Sequence, residues 1–414
     1  MANMSKVIKR NIQPFIQALS FDNQKMAFLS GPRQCGKTTI AKALLNHESN
    51  YFNWDDSTFK KKWSLDPNQI IDTVLIQKKP VIALDEIHKN TKWKNQVKGI
   101  YDRYGEILKI IVTGSAQLNT YRKGSDSLLG RFFHFHIMPF SFGELTRSKP
   151  LTFEQLIKKI YSPKWELTQT PNTKSIINRL FTLSGFPDPY LKNKSNYHLA
   201  WQKNRVELLI RQDLREISHT LNIGQIEILA HFLPDKIGST LSIKSLSEDL
   251  DASYTTVNRW LNELQKVYYH FEIKPYSKNV TRSLKKEKKI YLYDWTQVEQ
   301  SGPRFENMVA VHLLKLINFY NDIGQSQLAL WYLRDKEKNE LDFLVTNRNI
   351  PLFSVEVKLS NMDLDQSFKK LTKNFNIPHF QIIDSTHPII KNMTENQNRP
   401  VHVLSFDQFF SFCP

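Results

Sequence analysis

The sequence predicts an α/β protein that begins with a parallel sheet carrying helices on both faces. Three short apolar runs, MAFLS at 26–30, VIALD at 81–85 and KIIVTG at 109–114, alternate with helical patterns in the first 150 residues. Continuous apolar strands separated by helix-length segments are typical of parallel sheets, whose strands are buried on both faces. Amphipathic patterns dominate from 151 to 224, which predicts a helical connector or lid.

Two further parts follow this connector. Residues 225–282 contain three helical apolar faces and then the alternating segment VYYHFEI, which is the order of a small helical domain closed by a β-hairpin. We interpret this part as a winged helix. Residues 283–414 contain the strand patterns YLYDW, LALWYL, LDFLV and LFSVEVKL with one long helical pattern, and they predict a separate mixed α/β domain. The predicted parts are therefore 1–150, 151–224, 225–282 and 283–414.

The composition excludes several classes of protein. Cys35 and Cys413 are too few for a disulfide framework or a cysteine zinc site. No apolar run approaches the roughly 18 to 20 residues that cross a bilayer, and the N-terminus lacks an apolar signal core, so we expect a cytoplasmic protein without a membrane partner. The chain carries 57 Lys and Arg against 40 Asp and Glu, a net charge of +17. Such an excess attracts polyanions, so DNA is the expected partner, and a merely solvated lysine-rich surface is the alternative.

A phosphate-binding loop is predicted directly after the first apolar strand. The segment Gly31-Pro32-Arg33-Gln34-Cys35-Gly36-Lys37-Thr38 has the spacing GxxxxGK[ST], and a helical pattern continues from Thr39. The glycines let the backbone curl so that its N–H groups face a phosphate, and Lys37 can span the β and γ oxygens. Thr38 would then bind Mg²⁺. These eight residues and Thr39 are the predicted nucleotide-binding residues.

Acidic and polar residues follow the next two strands. Asp85 and Glu86 end the strand VIAL, at the edge where a parallel sheet places its ligand residues. Asp85 would hold the magnesium shell, and Glu86 would orient and polarise the attacking water, which is the division of work expected for hydrolysis. The strand after them ends at Thr113-Gly114-Ser115, where Ser115 could sense the γ phosphate.

The loop, the acidic pair and the polar strand end, in this order, resemble the AAA+ ATPases. The stretches Leu128-Leu129-Gly130-Arg131 and MPFSFGE at 138–144 are similar to those of a bacterial family in which an AAA-type module is fused to a C-terminal domain of unknown function. The resemblance implies ATP as the nucleotide and leaves room for a homo-oligomer. It also implies that Arg131 is a trigger that reaches the γ phosphate from its own chain or from a neighbour. An arginine that anchors the next strand is the alternative role. The segment HFHI at 134–137 indicates strand packing rather than a histidine metal site.

The winged-helix interpretation gives a candidate DNA-binding surface. A helix from about Tyr254 to Gln265 would turn Val257, Leu261 and Leu264 inward. Its other face and the basic segment behind the hairpin carry groups suited to phosphates and base edges, namely Thr255, Thr256, Asn258, Arg259, Asn262, Lys266, Arg282, Lys285, Lys286, Lys288 and Lys289. Winged helices also serve as lids and protein-docking modules, and that role is the alternative.

The C-terminal part carries an acidic pattern suited to a divalent metal. Asp342 ends one strand pattern, and Glu356 and Lys358 are two positions apart in the next, so they point to one face of that strand. With Glu306 near the start of the preceding helix, the pattern resembles the PD-(D/E)xK superfamily of restriction endonucleases and Holliday-junction resolvases. Leu341 rather than proline precedes Asp342. The pattern predicts Mg²⁺ held by Glu306, Asp342 and Glu356, with Lys358 orienting water.

The sequence thus predicts a Mg²⁺-dependent ATPase, associated with DNA, whose last domain resembles a nuclease. Two alternatives stay open. One is a nucleotide-dependent switch on DNA in which the ExK site is vestigial, and the other is a protein remodeller or signalling ATPase with no nucleic-acid partner.

Overall fold

The computed structural model describes residues 8–114, 128–146, 149–167, 172–217, 222–277, 287–360, 363–364, 366–384, 389–395 and 399–414. The chain divides into two compact units. Unit 1 contains the residues up to Met138 with the segments Gln212–His219 and Lys266–Tyr268. Unit 2 contains Pro139–Arg211, Thr220–Gln265 and Tyr269–Pro414. The domain boundaries drawn from the sequence stay predictions.

The described strands of unit 1 form a five-stranded sheet in the order β2-β3-β4-β1-β5. The strands are β1 (Met26–Ser30), β2 (Tyr51–Asn53), β3 (Val81–Asp85), β4 (Lys109–Thr113) and β5 (Phe132–His136). Every neighbouring pair is parallel. The predicted parallel α/β sheet is therefore confirmed, and the carboxyl ends of β3, β4 and β1 lie side by side at one edge.

Helices of unit 1 pack an apolar core against this sheet. Phe28, Ile82 and Val112 from the strands lie in one buried cluster with Trp63 and Val97 from the helices. Short polar residues set the helix starts, because a side-chain oxygen there accepts from an unpaired backbone N–H. The described helices are Gln13–Ile16, Lys37–Ala43, Ser57–Leu65 capped by Asp56, Pro67–Leu75 capped by Asp66, Trp93–Tyr104 and Leu214–Ile217.

Unit 2 has a mixed sheet of nine described strands in the order β13-β14-β12-β11-β10-β9-β7-β8-β6. The strands are β6 (Thr240–Leu241), β7 (His270–Pro275), β8 (Lys288–Leu292), β9 (Leu328–Arg334), β10 (Glu340–Asn347), β11 (Ile350–Lys358), β12 (His379–Ile383), β13 (Ile390–Glu395) and β14 (Arg399–Ser405). β7 and β8 pair antiparallel, and β7 also pairs in parallel with β9.

The hairpin between β10 and β11 positions the acidic pattern of the C-terminal part. Asn347 pairs with Ile350, so the loop has two residues, Arg348 with φ 51° and Asn349 with φ 64°. Two left-handed residues make a turn whose twist matches that of the flanking strands. This turn brings Asp342 and Glu356 onto neighbouring strands.

The helices of unit 2 include those that the sequence predicts in the connector, before β7 and in the C-terminal part. They are Phe142–Leu145, Phe153–Ile160, Thr173–Leu183, Pro187–Lys192, Ser195–Leu208, Ile223–Phe232, Ile243–Asp249, Tyr254–Lys266, Ser301–Asp322, Gln366–Thr372 and Phe406–Phe410. The helical connector and the three helices before the β7–β8 pair are confirmed as elements, whereas the winged-helix assignment stays a prediction. Within the described parts of the chain, no helix combines the length and the apolar character that a bilayer crossing needs.

Candidate functional site

The predicted phosphate loop connects β1 to the helix Lys37–Ala43 in unit 1. Its first glycine, Gly31, has φ 143°, and a Cβ there would lie 2.1 Å from the carbonyl oxygen of Ile137. Gly36 begins the helix in the left-handed region, with φ 91°. Both positions therefore require glycine, one because of a close backbone approach and one because of its φ. These constraints explain why the loop curls tightly between strand and helix.

Lys37 lies buried at the first position of this helix. Its Nζ donates 2.9 Å hydrogen bonds to the carbonyl oxygens of Gly31 and Pro32. Burial lowers the pKa of Lys37, and the nearby carboxyl groups of Glu86 and Asp85 act in the opposite direction. The ammonium is thus held across the loop, which is where the sequence predicts phosphate oxygens.

Asp85, at the end of β3, accepts hydrogen bonds from three hydroxyl groups. Thr38 Oγ1 donates to its Oδ2 at 2.9 Å, Tyr51 donates to the same oxygen at 2.5 Å, and Thr113 donates to its Oδ1. The strands bring these side chains close together because the parallel register aligns Asn53, Asp85 and Thr113 across β2, β3 and β4. The structure therefore brings the predicted pair Thr38 and Asp85 together. Sequence reasoning missed Tyr51, since the order of strands in the sheet is not visible in the sequence.

Glu86 follows Asp85 with a left-handed backbone, φ 55°. Burial raises the pKa of its carboxyl group to about 7, although the positive charge of Lys37 opposes this shift. His88 Nε2 lies 3.4 Å from Glu86 Oε2, and burial lowers the pKa of His88 to about 4. His88 is therefore neutral at pH 7, and Glu86 titrates in the range that suits a general base. Sequence reasoning did not identify His88.

The loop also contacts a segment that is distant in the sequence. Arg33 of the loop forms an ion pair with Asp213, which is 180 positions away and is 5% exposed. Asp213 ends a π-helical segment, Leu209–Asp213, and π-helical turns occur often at functional sites. Burial raises the pKa of Asp213, and Arg33 lowers it. Three residues further, Glu216 lies 3.3 Å from Lys89 Nζ. Sequence reasoning missed both acids, because their stretch was interpreted only as a helical connector.

The structure places Arg131 beside a carboxylate of unit 1. Its Nε donates to Asp102 Oδ1 at 2.7 Å and a second guanidinium nitrogen donates to Oδ2 at 3.2 Å. Its carbonyl oxygen accepts from the N–H of Met26 at 2.9 Å. These contacts correspond to the anchoring alternative, and the trigger role stays a prediction. The predicted sensor Ser115 lies outside the described residues. His134 Nε2 lies 2.6 Å from Ser30 Oγ on the neighbouring strand, as expected from strand packing.

Comparisons with known families agree with this geometry. Residues 23–146 match the family model described as an AAA domain. These residues form an AAA-type P-loop ATPase domain. Behind the AAA domain, residues 175–296 match the domain of unknown function DUF8612 and residues 301–404 match the domain of unknown function DUF4143. The family models therefore support nucleotide binding in unit 1 and assign no activity to the rest of the chain.

This chain is also similar, at low identity, to other proteins and to solved structures. An uncharacterized protein of Mycobacterium tuberculosis is 20% identical over 368 residues, which cover 86% of this chain and 76% of that protein. An uncharacterized protein of Methanocaldococcus jannaschii is 24% identical over 311 residues, which cover 69% of this chain and 63% of that protein. The solved structure of a Walker-type ATPase of Pyrococcus abyssi is 14% identical, with a TM-score of 0.41, over 75% of this chain and 97% of that one.

The helix Tyr254–Lys266 of unit 2 has the predicted two faces. Val257, Leu261 and Leu264 are buried, and so is Trp260. The candidate DNA-binding residues lie on the other side, with Thr255 and Arg259 exposed and Thr256 and Asn258 half-buried. Of the predicted wing, Arg282, Lys285 and Lys286 lie outside the described residues.

Two of the predicted nuclease residues of unit 2, Glu306 and Asp342, contact the buried Lys289 together with Glu340. Lys289 Nζ lies 3.2 Å from Glu306 Oε1, 2.6 Å from Glu340 Oε1 and 3.5 Å from Asp342 Oδ1. Lys289 is 1% exposed, so the prediction that it contacts DNA phosphates as part of the wing is wrong. Burial raises the pKa of Asp342 to about 6, which leaves this group ionised at neutral pH.

A second ion pair lies on β11, the strand that carries the ExK pattern. Glu356 Oε1 lies 2.8 Å from Lys358 Nζ, and Glu356 Oε2 lies 3.4 Å from the backbone nitrogen of Asp342. The structure thus confirms that Glu356 and Lys358 share a face. Among the described residues, no group of three or more His, Cys, Asp and Glu is arranged to hold a metal ion.

Proposed function

We propose that unit 1 binds ATP with Mg²⁺ and hydrolyses it to ADP and phosphate. The observation that carries this proposal is the 2.9 Å hydrogen bond from Thr38 Oγ1 to Asp85 Oδ2, beside the buried ammonium of Lys37. A loop that binds phosphate, a hydroxyl group and a carboxylate are the parts with which P-loop enzymes hold a magnesium nucleotide. The AAA domain that covers these residues supports the proposal.

Each group has a separate task in this mechanism. The backbone N–H groups of the loop and the Lys37 ammonium bind the β and γ phosphates. Thr38 and Asp85 would hold Mg²⁺, and two protein oxygens suffice, because Mg²⁺ in nucleotide sites takes its other ligands from phosphates and water. When bound, the ion neutralises charge on the phosphate oxygens. Tyr51 and Thr113 keep the Asp85 carboxylate oriented, and Glu86 orients the attacking water and accepts its proton.

Calorimetry with ATP and Mg²⁺ tests the binding step. We expect the wild type to bind, and we expect Lys37→Ala to weaken binding at least about tenfold, because a buried charge pair is worth more than 1.4 kcal/mol. Lys61→Ala, on the exposed side of the helix Ser57–Leu65, is the matched control and should bind as the wild type does. Equal affinity of wild type and Lys37→Ala would contradict the proposal.

A DNA partner is the second candidate function. The exposed polar side of the helix Tyr254–Lys266 and the net charge of +17 favour it over a purely structural role for this helix. Fluorescence anisotropy with labelled duplex DNA tests it in a salt titration. Binding through phosphates should weaken with a log-log slope of about −0.9 for each phosphate neutralised. If no binding occurs at low salt, the protein-partner alternative replaces DNA.

A further inference from the structure

Two of the carboxylates predicted to form a nuclease metal site, Glu306 and Asp342, lie beside the amino group of Lys289. This side chain extends from β8 and is almost completely buried. Its Nζ contacts carboxylates from the helix Ser301–Asp322 and from β10, at 3.2 Å from Glu306, 2.6 Å from Glu340 and 3.5 Å from Asp342. Two of these three acids are the residues that the PD-(D/E)xK resemblance assigns to Mg²⁺.

Lys289 occupies the space between these acids, with one hydrogen bond to Glu306 and ion pairs with Glu340 and Asp342. An ammonium lies about 2.7 to 3.2 Å from the oxygens it donates to, whereas Mg²⁺ lies about 2.0 to 2.1 Å from its oxygen ligands. A divalent cation between Glu306 and Asp342 would lie close to the Lys289 charge, and the two would repel each other strongly in a buried place. The residues present therefore do not fit a metal ion at this centre.

Further contacts fix the acids in this arrangement. The Tyr291 hydroxyl donates to Glu306 Oε1 at 2.6 Å, and the N–H of Val357 donates to Asp342 Oδ2 at 2.9 Å. Glu356 binds Lys358 at 2.8 Å and lies next to the Asp342 backbone. Each predicted metal ligand thus already has a hydrogen-bond or ion-pair partner within the protein.

We propose that the Lys289 ammonium takes the place of the divalent cation in the nuclease-like centre, which makes this centre metal-independent and unable to cleave DNA. Lys289, instead of a bound cation, connects β8 to β10 and to the helix Ser301–Asp322 through its ion pairs. This proposal agrees with the alternative in which the ExK site is vestigial. It does not depend on ATP hydrolysis by unit 1.

Mn²⁺ binding to the full chain, followed by electron paramagnetic resonance without nucleotide, tests this proposal. Mn²⁺ is suited to the oxygen ligands that bind Mg²⁺ and is directly detectable. We expect wild type and Glu306→Gln to bind Mn²⁺ identically. Lys289→Met, which removes the charge and keeps most of the length, should bind at one additional site at least about tenfold more tightly than wild type, since the repelling charge is gone. Adding Glu306→Gln to Lys289→Met should remove that site.

Lys288→Met is the matched control, because Lys288 lies next to Lys289 on β8 but binds Glu272 at 2.7 Å. This variant should gain no Mn²⁺ site. A folded Lys289→Met protein without an additional site would overturn the proposal. If Lys289→Met does not fold, two measurements on proteins that retain Lys289 still test the proposal. A Mn²⁺ site that Glu306→Gln abolishes in the wild type, or Mg²⁺-dependent DNA cleavage that Lys358→Ala abolishes, would contradict the internal cation.

Discussion

At the scale of single residues, Glu86 carries the chemical step of the proposed mechanism. It directly follows Asp85, the proposed Mg²⁺ ligand, and its own backbone is left-handed, with φ 55°. Non-glycine residues in this region are uncommon and cost free energy, so they occur where the surroundings hold them in place. The backbone N–H of Glu86 donates to the Thr113 carbonyl oxygen on β4 at 3.1 Å, which is such a restraint.

The substitution Glu86→Gln separates binding from turnover. The amide keeps the shape of the side chain but cannot accept the proton of water, so we expect ATP binding to persist and kcat to fall about 10² to 10⁴-fold. Steady-state phosphate release measures this loss. Glu106→Gln, at an exposed position of unit 1, should keep the wild-type rate. Wild-type turnover by Glu86→Gln would remove Glu86 from the mechanism.

The pH dependence of hydrolysis provides an independent measurement on the same residue. Burial raises the pKa of Glu86 to about 7, and only the deprotonated carboxylate can accept a proton. Activity should therefore rise with pH, about tenfold per unit well below pH 7, and become constant above it. The residual activity of Glu86→Gln should not rise with pH in this way. A rate that does not change between pH 5.5 and 8 would show that Glu86 does not titrate during turnover.

Some residues of the two centres could be predicted from the sequence, and others could not. Lys37, Thr38 and Asp85 were identified because the chemistry fixes their spacing within a loop and at a strand end. Tyr51 was missed because its contact with Asp85 depends on β2 lying beside β3. Lys289 was misinterpreted, because a lysine in a basic run gives no sign that three carboxylates from elsewhere surround it.

At the scale of elements, residues 212–217 contact the phosphate loop within unit 1. Arg33 of the loop binds Asp213, and Lys89 binds Glu216, so two ion pairs hold this segment against the rest of unit 1. The predicted amphipathic connector is confirmed as helical, but its pattern could not show that one end returns to the nucleotide loop. Such a contact is set by tertiary packing over 180 positions.

The substitution Arg33→Ala tests this attachment. It leaves the buried Asp213 carboxylate without its ion-pair partner, so the free energy of unfolding should fall by about 1 to 3 kcal/mol at pH 8, less than for a fully buried pair because Arg33 is one-third exposed. The pKa of Asp213 is already raised by burial, so the group is protonated more readily as pH falls, and the loss should shrink at pH 5.

Urea unfolding at both pH values measures this effect. Arg103→Ala, at an exposed position on the helix Trp93–Tyr104, is the control and should change stability by less than about 0.5 kcal/mol. A loss for Arg33→Ala that is equal at pH 5 and pH 8 would argue against an uncompensated Asp213 charge.

The helix Tyr254–Lys266 leads to a prediction about DNA. Arg259 is exposed in the middle of its polar side, where a phosphate contact is expected. Arg259→Ala should weaken DNA binding and reduce the magnitude of the log-log salt slope by about 1. Anisotropy titrations against Lys61→Ala, which changes the net charge equally in unit 1, separate a local contact from the effect of total charge. Identical slopes for the two variants would exclude Arg259 from the contact.

At the scale of the whole molecule, the chain combines the proposed nucleotide site of unit 1 with a centre in unit 2 whose carboxylates are paired with lysines. Unit 1 brings hydroxyl groups, a carboxylate and a lysine together at the carboxyl edge of a parallel sheet. In unit 2 the corresponding charges are paired with each other, at Lys289 and at Lys358. The order of elements in both units followed from periodicity and turn residues, whereas the difference between the two centres depends on which side chains meet.

The release of inorganic phosphate from ATP by the purified full chain tests the central claim most directly. We predict phosphate release that saturates with ATP, requires Mg²⁺ and stops when EDTA is added. Folded protein that releases no phosphate above the buffer rate, with Mg²⁺ and with or without DNA, would contradict the account.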